Sequence, residues 1–356
     1  MISVVDSIKI PAHPNIYTGT NKRELRIDFS LPECPNENTG LFILIPGFGA
    51  HIDSKIYQKL LRELPNKYNV VAIQCDYFGS EFMQDANSLT LVEPEKYLTR
   101  DELSYYRQNP QQIVQMLIGK PIRIRAKANL GESSEHFADL SFMQAIDIIT
   151  SIEAIKIILR ENNIPFNANR TISYGQSQGA YISLLANRLA PQLFSFIIDN
   201  SAWEYPKYLD QNRLLMSCVG LCEIVEEFEY YIRTVLNTRS LELDTIYDRF
   251  ENKAFIYSIL GSEDILVSIE KKKRFLKNVN FTHLEFIQKK DVDGIIYKSA
   301  EHGLGANFIE LIDHVMKREN GRLNEMEYSP MYRVQCGDYI IEVNYQNALP
   351  IFNLIV

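Results

Sequence analysis

The stretch that decides the fold is RTISYGQSQGAYISLLANRLAP, residues 170–191. A short apolar run, Ile172–Tyr174, is typical of a strand buried on both faces. The pentapeptide Gly175–Gly179 follows, and apolar residues then recur at helical spacing until Pro191. The sequence therefore predicts a strand, a tight turn with a serine at its centre, and a helix.

The turn reads Gly-Gln-Ser-Gln-Gly, which is the Gly-x-Ser-x-Gly pattern of a nucleophile elbow with Ser177 at its tip. In an elbow the serine takes a backbone conformation that most side chains dislike, and the flanking glycines keep Cβ atoms away from the neighbouring strand and helix. The alternative is a chance match in an ordinary Gly/Ser turn. The strand before the turn and the helix after it favour the elbow, so Ser177 is the candidate nucleophile.

A serine needs a general base, and with an elbow of this kind the chain order is serine, acid, histidine. Three histidines follow Ser177. His283 lies in FTHLEFI, whose alternation indicates a strand, and His314 lies inside the last predicted helix. His302, in SAEHGLGANF, lies on a loop before that helix, beside glycines that permit a close approach. His302 is the predicted base.

The acid that orients the histidine is predicted to be Asp264, which follows the apolar run AFIYSILG on a loop between the serine and the histidine. Its rivals are the adjacent Glu263 and Asp199, which ends the preceding apolar run in IIDNSAW. Any of the three could instead be a solvated loop carboxylate.

Two backbone donors are expected for the oxyanion of a tetrahedral intermediate. One is the N–H of Gln178, directly after the serine. The other is predicted in the glycine-rich loop IPGFGAH, at the N–H of Phe48 or of Gly49. Taken alone, this loop could be an ordinary glycine-rich turn.

Continuous apolar runs typical of buried strands recur along the chain, at residues 41–45, 68–76, 171–175, 193–199 and 254–261, with a shorter run at 294–298. Helical patterns lie between them, and one begins with Ser141 and Gln144 at the spacing of a capping box. Buried strands alternating with helices predict an α/β fold, with a mostly parallel central sheet flanked by helices.

Two stretches exceed what such a fold needs, residues 80–140 and residues 204–250, and the second reads as a helical segment rich in Tyr and Glu. Both begin just past the C-terminal end of a predicted strand, where open α/β sheets bind their ligands. They are therefore predicted to form a helical cap over the site. Cys218 and Cys222 are four residues apart and would share one face of a helix, most simply as core side chains.

The last part of the chain, residues 321–356, predicts strands joined at Gly337-Asp338. We expect it to form a C-terminal β extension packed on a main domain of residues 1–320, without chemistry of its own.

The composition of the 356 residues, 46% hydrophobic and 23% charged, is that of a globular protein. A net charge of -8 argues against nucleic acid as a partner. No run of 18 apolar residues exists to span a bilayer, and the first residues lack the pattern of a secretion signal. Five cysteines without a paired framework predict a reducing compartment, the cytoplasm. No nucleotide-binding glycine motif or metal-binding histidine motif is found, so neither a cofactor nor a metal is expected.

On these pieces the chain resembles the α/β-hydrolase superfamily over residues 40–318. The motifs that carry the resemblance are ILIPGFGAH, QCDYFGSE, FADLSFMQAID, SYGQSQGA, GSEDILVS and EHGLG. The resemblance implies the α/β-hydrolase fold. Two departures leave the subfamily open: Pro46 stands where many members have a histidine, and glutamine lies on both sides of Ser177.

More weakly, the whole chain is similar to an uncharacterised group of such proteins from AT-rich flagellated bacteria, associated with flagellin glycosylation. That similarity implies an acylated or acidic sugar as substrate, whose carboxylate would meet Arg123, Arg125 and Lys127. The alternative for this basic segment is a solvated face.

The function expected from these observations is that of a serine hydrolase acting on an ester or related acyl bond through an acyl-enzyme. The same residues would serve an acyltransferase if water were excluded and a sugar hydroxyl admitted. A third possibility is a non-catalytic binding protein that keeps the fold without using it. The sequence does not predict the oligomeric state.

Overall fold

The computed structural model describes residues 3–327 and 329–355. Its strands are, in chain order, β1 (Asp6–Pro11), β2 (Glu24–Ser30), β3 (Gly40–Ile45), β4 (Val70–Cys75), β5 (Ser88–Leu91), β6 (Arg123–Asn129), β7 (Thr171–Gln176), β8 (Phe196–Asn200), β9 (Arg213–Val219), β10 (Cys222–Phe228), β11 (Phe255–Gly261), β12 (Thr282–Ile287), β13 (Met331–Cys336), β14 (Tyr339–Asn344) and β15 (Ile351–Ile355). Its helices are α1 (Lys55–Tyr68), α2 (Arg100–Gln108), α3 (Ile113–Leu117), α4 (Phe142–Glu161), α5 (Gln178–Leu189), α6 (Leu243–Ile246), α7 (Ile269–Asn278) and α8 (Phe308–Met316). Within the described ranges, none of these helices combines the length and the apolar character needed to cross a lipid bilayer.

The main sheet has the strand order β1-β2-β4-β3-β7-β8-β11-β12. Neighbouring strands from β4 to β12 run parallel, and β2 and β1 add an antiparallel edge. Every residue of β3 and β4 is buried, which means that both faces of the sheet are covered there. The prediction of a mostly parallel central sheet flanked by helices is confirmed.

The apolar run at residues 294–298 is not a strand, and that prediction was wrong. The carboxylate of Asp293 accepts hydrogen bonds from the backbone N–H groups of Ile295, Ile296 and Tyr297, at 2.8, 2.8 and 3.1 Å. These donors are therefore used in a local turn and are not available to a ladder. The strand at this edge of the sheet is β12, which carries His283.

The chain divides into two compact units, one made of residues 1–78, 139–206 and 237–356 and the other of residues 79–138 and 207–236. The second unit contains α2, α3 and a sheet of order β5-β6-β10-β9. Its core is apolar and includes Leu91, Ile113, Ile124 and Ile224.

The helical interpretation of residues 204–250 was wrong for residues 213–228, which form the hairpin of β9 and β10. Gly220, at φ +59°, and Leu221 form the two-residue turn, in a conformation that glycine takes without strain. Cys218 and Cys222 consequently do not share a helix face: Cys218 is exposed and Cys222 is buried. Among the described residues of 204–250, the α-helix is the short α6.

The C-terminal part of the first unit contains the antiparallel sheet β13-β14-β15, with the predicted turn at Gly337-Asp338 between its first two strands. The hydroxyl of Tyr332 donates to the carbonyl of Leu189 at 2.8 Å, and the N–H of Phe352 donates to Nε2 of His13 at 2.9 Å. Two residues of the predicted extension 321–356, Tyr328 and Val356, lie outside the described residues.

Candidate active site

Ser177 lies at the corner between β7 and α5, with φ 56° and ψ -118°. A residue with a side chain reaches positive φ only at a cost, so the surrounding structure must hold this conformation. The N–H of Ser177 donates to the carbonyl of Asn200 at 2.8 Å, which ties the corner to the end of β8. The serine side chain is thereby held at the C-terminal edge of the parallel strands.

The two glycines of the elbow are required by close backbone contacts. A Cβ atom on Gly175 would lie 2.5 Å from the Cα of Ala180 in α5. A Cβ atom on Gly179 would lie 2.3 Å from the carbonyl oxygen of Ile45 and 2.5 Å from that of Pro46, at the end of β3. Any larger residue would therefore push the helix away from the strands that flank it.

His302 bonds to both Ser177 and Asp264. Its Nε2 lies 2.7 Å from Oγ of Ser177, and its Nδ1 lies 2.8 Å from Oδ2 of Asp264. Because a carboxylate can only accept, the Nδ1–H of a neutral imidazole donates to Asp264 and leaves Nε2 free to accept from the serine hydroxyl. The other oxygen of Asp264 accepts from the N–H groups of Leu266 and Val267, at 2.8 and 2.9 Å, and its side chain is fully buried. These bonds fix the acid as well as the histidine.

The other acids and histidines considered from the sequence lie elsewhere. Asp199 forms a buried ion pair with Lys272 and accepts from the hydroxyl of Ser258 at 2.8 Å. Glu263 pairs with Lys289 at 3.7 Å, partly exposed. His314 contacts Glu285 at 3.0 Å, and His283 lies on β12 with its ring near that of Tyr257. Of the candidate acids, the histidine therefore bonds to Asp264.

The glycine-rich loop after β3 passes close to the elbow. A Cβ atom on Gly47 would lie 2.8 Å from the carbonyl oxygen of Gln176 and 3.7 Å from the Cβ of Ser177. The N–H of Ala50 donates to the carbonyl of Gly47 at 2.9 Å and closes a turn that contains Phe48 and Gly49. The candidate donors Phe48 and Gly49 therefore lie on a loop in which Gly47 comes close to the turn that carries Ser177.

Gln178 is the first residue of α5, where a backbone N–H has no acceptor within its own helix. Its side chain is buried, and its Nε2 donates to Oε1 of Gln144 in α4. Nε2 of Gln144 in turn donates to the carbonyl of Phe78 at 3.1 Å. One of the unusual glutamines beside Ser177 is thus part of a buried amide network, which sequence reasoning missed.

The predicted capping box at Ser141 and Gln144 does not form, because Asp139 takes its place. One carboxylate oxygen of Asp139 accepts from the N–H groups of Ser141 and Met143, at 3.1 and 2.7 Å. Burial raises the pKa of Asp139 to about 6. The side chain of Gln144 is therefore left for the network with Gln178.

The basic segment of residues 123–127 is the exposed face of β6, in the second unit. Arg123 pairs with Glu223 at 2.7 Å and Arg125 with Glu227 at 3.0 Å, both on the neighbouring β10. Lys127 lines a pocket of about 400 Å³ within that unit. A role for these three residues in substrate binding stays a prediction. Within residues 3–327 and 329–355, no group of three or more His, Cys, Asp or Glu side chains is arranged to hold a metal ion.

Sequence reasoning missed two residues that contact this part of the structure: Ser201, which bonds beside His302, and Lys272, which pairs with Asp199. Ser201 accepts at Oγ from the N–H of Gly303, next to the histidine, at 3.1 Å. Its only signal is a polar residue just past the end of a buried strand. Lys272 could have been noticed, because helical spacing puts it on the apolar face of α7 with Phe275 and Leu276.

Comparison with known proteins gives a family model and a set of structures. Residues 107–210, less than half of the chain, match a model described as a protein of unknown function, DUF2920. No curated protein sequence matches the chain. None of the comparisons links the chain to flagellin glycosylation, so that similarity stays a prediction.

Three of the similar structures are hydrolytic enzymes by their descriptions. An acylaminoacyl peptidase from Pyrococcus horikoshii has a TM-score of 0.52 and 13% identity, and the match covers 92% of this chain and 43% of that one. Est1E from Butyrivibrio proteoclasticus has a TM-score of 0.46, 13% identity and coverages of 84% and 95%. A fungal esterase from Rhizomucor miehei has a TM-score of 0.48, 13% identity and coverages of 90% and 84%.

Sequence identity this low is informative about the fold alone. Of the three structures, the peptidase is the one used to assign the fold, because its TM-score exceeds 0.5. This chain spans less than half of that protein, so the likeness is to part of it. The order and direction of the strands, together with this likeness, show that the chain has the α/β-hydrolase fold.

Proposed function

We propose that this protein is a serine hydrolase that cleaves an ester or related acyl bond through an acyl-enzyme. The observation that carries the proposal is the continuous series of hydrogen bonds from Oγ of Ser177 through the imidazole of His302 to the carboxylate of Asp264, at 2.7 and 2.8 Å. A nucleophile, a base and an acid within hydrogen-bonding distance are the arrangement that acyl transfer by serine requires.

In the first step, Nε2 of His302 takes the proton of Ser177 as Oγ attacks the acyl carbon. Asp264 stabilises the imidazolium through Nδ1–H, and the two backbone N–H groups that its other oxygen accepts hold the carboxylate in place. The imidazolium then gives the proton to the leaving alcohol, and the acyl group remains on the serine. In the second step His302 takes a proton from a water molecule, which attacks the acyl carbon. The carboxylic acid is released and the proton returns to Oγ of Ser177.

The negative charge on the substrate oxygen is met by backbone donors in this proposal. The N–H of Gln178 is assigned as one donor, and the amide network with Gln144 holds its residue in place. The N–H of Phe48 or of Gly49 is the other. Losing one such donor typically slows acyl transfer by about a hundredfold or more.

The proposal is tested by labelling with a fluorophosphonate, an electrophile that reacts readily with an activated serine hydroxyl. We expect the wild type to be labelled, and Ser177→Ala and His302→Ala to lose labelling. His283→Ala is the matched control, because this exposed histidine lies on β12 and not beside the serine. Asp264→Asn should slow labelling by about 10⁴-fold, since it gives the histidine the wrong tautomer.

Equal labelling of wild type and Ser177→Ala would contradict the mechanism, because a different residue would then be the reactive one. No labelling of either would also contradict it and would favour a non-catalytic binding role. With labelling established, product analysis on a p-nitrophenyl ester with and without a sugar acceptor would separate hydrolysis from acyl transfer. The five cysteines are free thiols, which supports the proposal that the protein works in a reducing compartment such as the cytoplasm.

A further inference from the structure

The last residue of β8, Asn200, and the residue after it, Ser201, contact two parts of the candidate active site. The carbonyl of Asn200 accepts from the N–H of Ser177 at 2.8 Å. The hydroxyl of Ser201, the next residue, accepts from the N–H of Gly303 at 3.1 Å. Gly303 directly follows His302 in the chain, so two consecutive residues contact the backbone of the nucleophile and the backbone beside the base.

The loop that carries His302 needs such a contact because its own backbone is unusual. Gly303, Leu304 and Gly305 have φ +71°, +63° and +52°, three positive values in succession. A Cβ atom on Gly303 would lie 2.6 Å from Nε2 of Gln176, the movable end of a side chain, so it is the left-handed backbone and not this contact that favours glycine here. Glycine leaves the loop with more conformational freedom than any other residue, and the bond to Ser201 restricts it.

Ser201 is itself held in a strained conformation, with φ +57°, and its side chain is fully buried. Its N–H donates to the carbonyl of Ile259 at 2.9 Å, which fixes the backbone independently of the side chain. A glycine would take this φ without strain, so the backbone does not require a serine here. Glycine would, however, lack the hydroxyl that accepts the hydrogen bond from the N–H of Gly303.

We propose that Ser201 is a positioning residue for the reaction proposed above: its hydroxyl fixes Gly303 and thereby holds the imidazole of His302 against Ser177. The inference rests on the proposed function. Ser201 does not touch the reacting atoms. It acts through the loop, and misplacement of a catalytic group by about 1 Å can cost a hundredfold in rate.

The test compares Ser201→Ala with Ser201→Gly. Both variants lose the hydroxyl, but only glycine relieves the left-handed strain, so we expect the urea midpoint of Ser201→Gly to exceed that of Ser201→Ala. The rate of fluorophosphonate labelling should nevertheless fall by the same factor in both, about tenfold to a hundredfold. The two variants would then differ in urea midpoint but not in labelling rate. A purely structural role of Ser201 would instead make the labelling rate follow the midpoint.

Arg249→Gly is the matched control, since Arg249 has φ +55° and a side chain that is 93% exposed. It should raise the urea midpoint and label at the wild-type rate. If Ser201→Gly labels at the wild-type rate, or recovers in step with its midpoint, the positioning role is wrong while the proposed function stands. A midpoint of Ser201→Gly below that of Ser201→Ala would also overturn it, because no strain would then be relieved. Failure of the wild type to label would instead contradict the proposed function itself.

Discussion

Replacing Lys272 by methionine should destabilise the fold far more than replacing its neighbour on the same helix. The side chains of Lys272 and Asp199 are both fully buried and form an ion pair. Removing one member of such a pair costs about 3 to 5 kcal/mol, because the other charge is left uncompensated. Asp199 would keep two donors, the N–H of Ala202 at 2.7 Å and the hydroxyl of Ser258 at 2.8 Å. We therefore expect the lower end, a loss of about 3 kcal/mol in the free energy of unfolding.

Lys271→Met is the control, because Lys271 pairs with Glu242 at 3.7 Å and their side chains are 41% and 38% exposed. An exposed pair of this kind contributes less than about 1 kcal/mol. The free energy of unfolding is measured by urea denaturation of wild type and both variants. A loss in Lys272→Met no larger than that in Lys271→Met would refute the reasoning.

The double variant Asp199→Asn, Lys272→Met tests the cause of the loss. It retains no buried charge from this pair, and so we expect it to be more stable than either single variant. Additive losses would mean that the two side chains stabilise the fold independently. The double variant would in that case be the least stable of the three.

Two further perturbations have expected outcomes. Gly179→Ala brings a Cβ within 2.3 Å of the carbonyl oxygen of Ile45, so α5 must shift by about 1 Å and fluorophosphonate labelling should slow by about a hundredfold. Gly119→Ala is the control, because a Cβ there would have no atom within 4 Å, and it should label like the wild type. Equal labelling rates in the two variants would contradict the argument. Burial lowers the pKa of His13 from 6.5 to about 4. Its contribution to stability is therefore present above pH 6.5 and is lost as the pH falls toward 4, by up to about 3 kcal/mol. Urea denaturation over this pH range should show the loss in the wild type and a flatter profile in His13→Gln; parallel profiles would exclude His13 as the cause.

The sequence was most informative where the signal is local. The elbow could be located because a buried strand, two glycines and a helix surround Ser177 within a few residues. His302 could be preferred over His283 and His314 because it lies on a loop between regular elements. The triad assignment itself stays a proposal, but the structure brings these side chains together at the C-terminal edge of a mostly parallel sheet of the kind that the apolar runs predict.

Where a partner from a distant element decides the outcome, the sequence was insufficient. Asp199 lies near the end of one buried strand and Asp264 just after another, and what distinguishes them is a partner from a distant element, Lys272 for Asp199 and His302 for Asp264. That lysine lies in EKKKR, where neighbouring basic residues look alike unless the helix face is considered. The hairpin at residues 213–228 was missed for a related reason. The apolar positions of β10 become meaningful only once β6 lies beside it, because Ile224 and the neighbouring Ile124 of β6 belong to the same apolar core.

The pairing of β6 with β10 also has a consequence for how the chain reaches its native state. Arg123 lies opposite Glu223 across these two strands, so a ribosome must release a further 100 residues before β6 can meet this neighbour. The intervening segment includes β7, α5 and β8 of the other unit. Contacts this distant in sequence slow folding because the loop must close before the contacts can stabilise it. The second unit can therefore be completed only after β7, α5 and β8 of the first unit have been synthesised, and β6 remains without this neighbouring strand until then.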